Sequence, residues 1–186
     1  MIDRAMGDMI IAKLERKKND ISDQVRILYN EVLRDKPPAI IECGVRAGMS
    51  SRALLAACCQ YGGKLFSYEI DPRWQRTYFD VASEIRVAGA YWSFSILNDL
   101  DLPTKWKGGL VRFMFIDTSH ELEQTRKEMS LLPSLLDKGG SMYFHDTTGL
   151  KAAGVKPAIE EFLKENADWK YCELGGEQGL GKLTKP

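Results

Sequence analysis

The segment AIIECGVRAGMSS, residues 39–51, sets the interpretation of the rest of the chain. Its first five residues are mostly apolar, which is typical of a strand buried on both faces. Gly44 and Gly48 then predict a tight turn, because glycine adopts backbone conformations that other residues avoid. The serines that follow can cap a helix through their hydroxyls. The segment therefore predicts a strand, a glycine turn and a helix in direct succession.

The same alternation of strand and helix continues towards the C-terminus. Four more predicted strands follow, separated by helical patterns: KLFSYEI (64–70), YWSFSI (91–96), LVRFMFID (110–117) and SMYFHD (141–146). We expect Lys138–Gly140 to end the helix before the last of these, and residues 169–183 to form a closing hairpin. Strand–helix alternation with short links predicts one α/β domain, with a mostly parallel sheet covered by helices on both faces.

Composition excludes several classes of protein. The 186 residues carry 26 Lys and Arg against 26 Asp and Glu, so no net field favours nucleic acid or an anionic membrane as a partner. No apolar run is long enough to cross a bilayer, and the N-terminus is a poor signal peptide. The four cysteines lack the spacing of a zinc site, so we expect reduced core thiols and a cytoplasmic protein.

Polar residues follow each predicted strand. In a parallel sheet the ligand binds beyond the carboxyl ends of the strands, where the connections diverge to opposite faces. We therefore expect five segments to share one edge: Gly44–Ser50, Glu69–Asp71, Asn98–Asp99, Asp117–His120 and His145–Asp146.

The glycine turn and Glu69 together suggest a nucleoside site. A helix start after a glycine turn offers free N–H groups to an anion. The Gly-x-x-x-Gly spacing is neither a dinucleotide fingerprint nor a phosphate loop, so an ordinary turn stays an alternative. A carboxylate ending the second strand can accept both ribose hydroxyls, and the alternative is a solvated carboxylate.

The chain has only two histidines, and each lies near an aspartate at the end of a strand. His120 follows Asp117 by three residues, and His145 directly precedes Asp146. Two carboxylates and an imidazole that converge on one point are suited to a divalent cation. A histidine that titrates near neutrality can also accept a proton. The alternatives are a helix-start histidine and a strand-end histidine that holds a loop.

Five segments, in order, resemble the class I S-adenosylmethionine-dependent methyltransferases, and more closely the small-molecule O-methyltransferases of the catechol and macrolide-sugar type. They are IIECGVRAGMSS, SYEID, FIDTSHELEQT, LLDKGGSMYFHDT and GVKPAIEEFL. The resemblance runs from about residue 38 to the C-terminus. It implies a Rossmann-like, doubly wound sheet of seven strands whose last strand is antiparallel. It also implies a methyltransferase domain over residues 37–186. The N-terminal helices (1–36) lie outside the resemblance; we expect them to cover the site or contact another subunit, and the alternative is that they simply pack on the domain.

The resemblance also implies roles for individual residues. Glu42, Gly44, Gly48 and Ser50 match positions around the methionine half of S-adenosylmethionine, Glu69 matches the ribose acid, and Asn98–Asp99 match the adenine contact. Asp117 matches a residue next to the cofactor that also ligates metal. His145 and Asp146 match the pair that completes such a metal site, and His120 matches the general base.

One departure from the family concerns the metal. Metal-dependent relatives place Asp-Asn or Glu-Asp where this chain has His145-Asp146, and imidazole is a poor ligand for Mg²⁺. Three alternatives remain: a softer divalent ion than Mg²⁺ binds, His145 turns away, or no metal binds.

The function that we expect is methylation of a hydroxyl group on a small molecule, with S-adenosylmethionine as the cofactor and Mg²⁺ or another divalent cation as a possible aid. Two alternatives are a nicotinamide-dependent oxidoreductase and a nucleoside-binding domain without catalysis. The sequence does not distinguish a phenol from a sugar hydroxyl as acceptor, and it leaves a homo-oligomer open. The segment 147–156 is expected to border the acceptor pocket.

Overall fold

A computed structural model of the protein describes residues 2–86, 91–149 and 153–186. It contains a seven-stranded sheet in the order β3-β2-β1-β4-β5-β7-β6. Strands β1 to β5 are parallel to one another, and β7 is antiparallel to both β5 and β6. The predicted fold class is therefore confirmed, including the antiparallel last strand. The strands are β1 Ala39–Cys43, β2 Lys64–Glu69, β3 Trp92–Ile96, β4 Val111–Ile116, β5 Leu136–His145, β6 Lys170–Glu173 and β7 Leu180–Thr184.

The helices connect the strands and cover the sheet. They are α1 Arg4–Glu15, α2 Val25–Asp35, α3 Met49–Tyr61, α4 Arg76–Glu84, α5 Leu102–Lys105, α6 Leu122–Leu131 and α7 Val155–Glu165. Helix α3 ends at Gly62, which takes a left-handed φ of 89° where glycine is favoured. Among the described residues, no helix is both long and apolar enough to pass through a membrane.

Two hydrophobic cores lie on opposite faces of the sheet because successive strand residues point to opposite sides. Ile40 belongs to the core beneath α1, α2 and α3, whereas its neighbour Ile41 belongs to the core beneath α6 and α7. The four cysteines are free; three are buried as expected, but Cys172 is exposed.

The N-terminal helices share the first of these cores. Helix α2 is joined to the far half of the sheet by Glu31, which accepts hydrogen bonds from Tyr143 of β5 (2.8 Å) and Lys182 of β7 (2.9 Å). These contacts attach α2 to the sheet. The proposed contact of these helices with another subunit stays a prediction.

The helix before β5 ends earlier than predicted. Helix α6 stops at Leu131 and a turn of 3-10 helix covers Leu132–Leu135, because Pro133 cannot donate a helical hydrogen bond. Lys138–Gly140 therefore lies within β5 and does not end a helix; the pairing of β4 with β5 shifts register just there. The position of the site does not change, since the carboxyl end of β5 stays at His145.

The chain reverses direction across the sheet between β1 and β4. From β1 it builds outward to β2 and β3, then returns to place β4 on the other side of β1. Connections at such a switch point diverge to opposite faces and leave a crevice at the carboxyl ends of the strands.

Candidate active site

The glycine turn after β1 brings the backbone of β1 against that of β4. Gly44 has a φ of 83°, and its N–H donates to the carbonyl of Tyr68 (2.9 Å). A Cβ atom on Gly44 would lie 1.9 Å from the carbonyl oxygen of Asp117. Only a residue without a side chain allows the two strand ends to come this close. Gly48 has a φ of 70° and packs on Thr77 and Val81, so it supports the turn from behind.

Glu69 holds this turn in place. The side chain is 6% exposed, and its Oε2 accepts from the N–H groups of Val45 (3.0 Å) and Arg46 (2.9 Å). Its Oε1 accepts from the N–H of Asp71 (3.0 Å). A carboxylate has about four acceptor positions. One position on Oε1 therefore remains for a ligand hydroxyl, fewer than the two that the sequence suggested.

A cavity of about 360 Å³ opens beside Glu69 at the switch point. Five of the residues that were predicted to contact the cofactor line it: Gly44, Glu69, Asn98, Asp99 and Asp117. Aromatic and apolar side chains complete the lining, with Tyr68, Ile70, Trp74 and Leu97. These residues have no chemical signature in the sequence. The cavity has the shape of a cleft with apolar walls and a few polar groups, which is typical of small-molecule sites.

Glu42 lies beneath the cavity and does not line it. The residue is fully buried, and its carboxyl accepts hydrogen bonds from Ser50 (2.6 Å), Ser51 (2.8 Å) and Ser67 (2.5 Å). Burial raises the pKa of Glu42 to about 7, although the three hydroxyls oppose that shift. The cluster ties β1 and β2 to the start of α3 below the turn. The contact of Glu42 with a cofactor stays a prediction.

Replacement of Glu42 by Gln is expected to remove one source of pH-dependent stability. Because the native carboxyl holds its proton up to about pH 7, the native state binds more protons than the unfolded chain above its ordinary pKa of 4.5. The free energy of unfolding of the wild type should therefore fall by about 3 kcal/mol between about pH 4.5 and about pH 7.5 relative to Glu42→Gln. Urea unfolding at several pH values measures this difference. Glu160→Gln on the exposed face of α7 is the control, and parallel curves for wild type and Glu42→Gln would contradict the assignment.

Ser50 and Asn98 were also predicted to contact the cofactor, and they line different cavities. Ser50 lines a second, smaller cavity of about 60 Å³ together with Asn19, Asp20 and Trp74. Trp74, Arg46 and Asp117 line both cavities, so the two are adjacent. Asn98 accepts from the N–H of Leu100 (3.0 Å) through its side chain and caps the short helical turn that holds Asp99.

The two histidines and their aspartates form one cluster next to the larger cavity. His120 Nε2 lies 2.8 Å from Asp117 Oδ1, and His120 Nδ1 lies 3.0 Å from Asp146 Oδ2. His145 Nδ1 lies 3.2 Å from the same Asp117 oxygen and 3.4 Å from Asp146 Oδ1. His120 and Asp146 have left-handed φ values of 60° and 56°, which turn both side chains towards the cluster. His145 therefore faces the site, which removes the alternative that it turns away.

Two members of this cluster, Asp117 and His145, have pKa values shifted in opposite directions. Burial acts to raise the pKa of Asp117, but its interactions with His120 and His145 outweigh it and hold the pKa below its usual range. Burial acts to lower the pKa of His145, but the facing Asp117 and Asp146 outweigh it and raise the pKa. Perturbed groups of this kind are concentrated at functional sites.

The polar atoms of this cluster are suited to a cation. Among the described residues, His145 Nδ1 and both carboxylate oxygens of Asp146 are buried and make no hydrogen bond of regular geometry, although they lie 3.0–3.4 Å from other polar atoms of the cluster. Ligand atoms of Asp117, His120 and His145 lie within 4.8 Å of one another. His145 Nε2 lies 3.4 Å from the carbonyl oxygen of Asp20, and a bond there leaves the lone pair of Nδ1 towards the carboxylates. A divalent ion would satisfy that lone pair and the unpartnered oxygens together.

Solved structures with the same fold include several methyltransferases. Cofactor-bound Rv0187 from MTB has a TM-score of 0.74 and 16% identity, with 97% of this chain and 88% of that chain covered. The O-methyltransferase from Bacillus cereus in complex with SAH has a TM-score of 0.71 and 15% identity, with 100% and 93% covered. The O-methyltransferase TomG from Streptomyces achromogenes, in complex with SAM, has a TM-score of 0.69 and 15% identity, with 99% and 89% covered.

The sequence matches a family model, although no curated protein sequence gives a significant match. A family model described as a methyltransferase domain matches residues 41–147, a range that contains the glycine turn, the cavity-lining residues and the whole histidine–aspartate cluster. Since this match covers more than half of the chain, the protein belongs to the methyltransferase-domain family.

Proposed function

We propose that the protein transfers a methyl group from S-adenosylmethionine to a hydroxyl group of a small molecule. The observation that carries this proposal is the cavity between the glycine turn, Glu69 and Asp99, which ends at the histidine–aspartate cluster. The cavity supplies a nucleoside-sized cleft, and the cluster supplies groups that can accept a proton beside it. Relatives in fold that were crystallised with SAM or SAH support this choice of cofactor.

The adenosyl group is proposed to occupy the larger cavity. The remaining acceptor position of Glu69 is suited to a ribose hydroxyl, and Asp99 is suited to the amino group of adenine. The methionine half would extend past Gly44 towards Ser50 and the smaller cavity. This arrangement directs the sulfonium methyl towards Asp117 and His120, where the acceptor hydroxyl must be placed.

Methyl transfer from a sulfonium is an in-line displacement, so the protein contributes mainly alignment and exclusion of water. The buried turn held by Glu69 fixes the cofactor side of this alignment. The acceptor hydroxyl must lose its proton, and His120 is the proposed base because a ring nitrogen can receive that proton. Asp117 orients the ring through the 2.8 Å contact with Nε2 and stabilises the positive charge that it acquires.

A divalent ion is proposed at the same cluster. Asp117, His145 and Asp146 would hold it, with His120 as a competing ligand. When bound, such an ion lowers the pKa of a coordinated hydroxyl group. A donor set with imidazole nitrogen favours Mn²⁺, Fe²⁺, Co²⁺ or Zn²⁺ over Mg²⁺.

Calorimetric titration with S-adenosylhomocysteine tests the proposed cofactor. We expect 1:1 binding by the wild-type protein and no binding of NADH, which would occupy the same cleft in an oxidoreductase. Absence of heat at protein concentrations of about 100 μM, equivalent to a dissociation constant well above that range, would contradict the proposal. A panel of phenols and sugar alcohols with labelled S-adenosylmethionine then identifies the class of acceptor.

Two further expectations stay proposals. Residues 150–152 of the segment 147–156, which was expected to border the acceptor pocket, lie outside the described residues. The second is association into a homo-oligomer through the N-terminal helices.

A further inference from the structure

A second pair of acids lies at the proposed adenine side of the cavity: Asp99, which lines it, and Glu128, which does not. Asp99 follows β3 and is 8% exposed, whereas Glu128 lies on α6 and is fully buried. Among the described residues, Asp99 Oδ2 and Glu128 Oε2 are buried oxygens without a hydrogen-bond partner. Two ionised carboxylates side by side in a buried place repel each other, and each loses its hydration. A structure that retains both carboxyl groups needs an interaction or a proton that offsets this free-energy cost.

The hydrogen bonds around Glu128 show where a proton would lie. Its Oε1 accepts from the hydroxyl of Thr118 (2.6 Å) and from Nε2 of Gln124 (2.8 Å). Because Oε1 already accepts two hydrogen bonds and Oε2 accepts none, the proton of a neutral Glu128 would lie on Oε2. A proton there turns Glu128 into a donor towards the carboxylate of Asp99. One proton therefore satisfies both unpartnered oxygens.

The surroundings keep the charge on Asp99 and the proton on Glu128. Gln124 Nε2 also lies 3.4 Å from Asp99 Oδ1, so the same amide contacts both acids. Burial and the neighbouring Asp99 raise the pKa of Glu128 to about 8. Burial raises the pKa of Asp99 too, but the hydrogen bond from Glu128 opposes that shift. Asp99, which lines the cavity, is therefore the ionised member of the pair.

We propose that Glu128 is a neutral carboxylic acid which positions the ionised Asp99 as the acceptor for the 6-amino group of the cofactor's adenine. Glu128 does not line the cavity, so it acts through Asp99 and is a positioning residue. The inference rests on the proposed binding of S-adenosylmethionine. It also gives a reason for selectivity towards the base. Because Asp99 is held as a carboxylate, it accepts a hydrogen bond from an amino group at C6 but repels a carbonyl oxygen there.

Other titratable groups near Glu128 do not compete for this role. Asp101 lies on the same connection as Asp99 and adds negative charge, which opposes ionisation of Asp99. Cys43 at the end of β1 is a further ionisable neighbour, and burial raises the pKa of its thiol well above the usual value, so it stays neutral. The expected pH dependence above about pH 8 therefore belongs to Glu128.

Glu128→Gln is the central test because the amide keeps the size of the side chain and the donor towards Asp99. At about pH 7 its affinity for S-adenosylhomocysteine should stay within about threefold of the wild type. Between about pH 7 and about pH 9.5 the wild type should lose about tenfold in affinity relative to Glu128→Gln, because ionised Glu128 no longer donates to Asp99. The amino group of the ligand titrates in this range for both proteins, so the ratio of the two affinities reports Glu128 alone.

A second comparison measures selectivity for the base. S-inosylhomocysteine has a carbonyl oxygen in place of the 6-amino group, and the wild type should bind it at least about tenfold more weakly than S-adenosylhomocysteine. Glu128→Gln should keep this ratio, whereas Glu128→Leu, which cannot donate, should reduce it. Glu123→Gln on the exposed face of the same helix is the matched control and should behave as the wild type.

The outcomes separate this inference from the proposed function. Normal binding of S-adenosylhomocysteine with overlapping pH curves for wild type and Glu128→Gln would overturn the role of Glu128 alone. No binding of S-adenosylhomocysteine by the wild type would overturn both. Because Glu128→Leu can fail to fold, its selectivity ratio is interpreted together with its thermal unfolding curve, and the Glu128→Gln curve decides.

Discussion

Replacement of His120 by Asn is expected to lower the rate of methyl transfer by about 10²–10⁴-fold, the usual contribution of a general base. The affinity for S-adenosylhomocysteine should change by less than about twofold, since His120 does not line the larger cavity. Asn is the informative substitution because His120 has a φ of 60°, a conformation that Asn tolerates and Ala does not. Single-turnover rates with labelled S-adenosylmethionine and an active acceptor measure the effect.

The same variant distinguishes a base from a metal ligand. If His120 is the base, the variant should bind Mn²⁺ as the wild type does, whereas Asp146→Asn should bind it at least about tenfold more weakly. Glu121→Ala, which changes an exposed neighbour, is the control for effects on the loop. A rate for His120→Asn equal to that of the wild type would refute the base assignment. Weakened Mn²⁺ binding by His120→Asn would make His120 a ligand.

Replacement of Gly44 by Ala is expected to destabilise the protein by more than about 3 kcal/mol and to abolish binding of S-adenosylhomocysteine. A left-handed backbone costs a residue with a side chain about 1–2 kcal/mol. The added Cβ would also lie 1.9 Å from the carbonyl oxygen of Asp117, so β1 and β4 must move apart at their carboxyl ends. Urea unfolding and calorimetry measure the two effects.

Gly62→Ala provides a matched control for Gly44→Ala. Gly62 also has a left-handed φ, 89°, but a Cβ there would meet no atom within 4 Å. The Gly62→Ala variant should be destabilised by about 1–2 kcal/mol, the cost of the backbone conformation alone, and should bind S-adenosylhomocysteine normally. Equal losses for the two variants would show that the contact with Asp117 is unimportant.

The fold was predictable because strand and helix patterns are local. Each strand end could be read from an apolar run that gives way to glycine or an acid, and parallel pairing aligns such ends at one edge. The positions of Gly44, Glu69, Asp117 and His145 therefore followed from the sequence. The inclusion of Gly139 and Gly140 in β5 did not follow from the sequence. It depends on the register shift between β4 and β5, which involves a strand distant in sequence.

The finer geometry of the site was not predictable, because it depends on contacts between elements far apart in sequence. Nothing near Glu128 in the sequence indicates that it meets Asp99 beneath the cavity. Trp74 has the spacing of a core residue, yet it lines both cavities. Glu42 has the position of a cofactor contact, but three serines from two other elements enclose it.

The pairing of β1 with β4 has a consequence for synthesis of the chain. Strands β2 and β3 are synthesised before β4. β2 can pair with one edge of β1, and β3 with β2, but the other edge of β1 stays unpaired. The wall of the cofactor cleft formed by Asp117 appears only when β4 has left the ribosome and closed the centre of the sheet. Contacts so distant in sequence form slowly, because a long loop must be ordered before they are gained. A nascent chain that ends before β4 should therefore have no affinity for the cofactor.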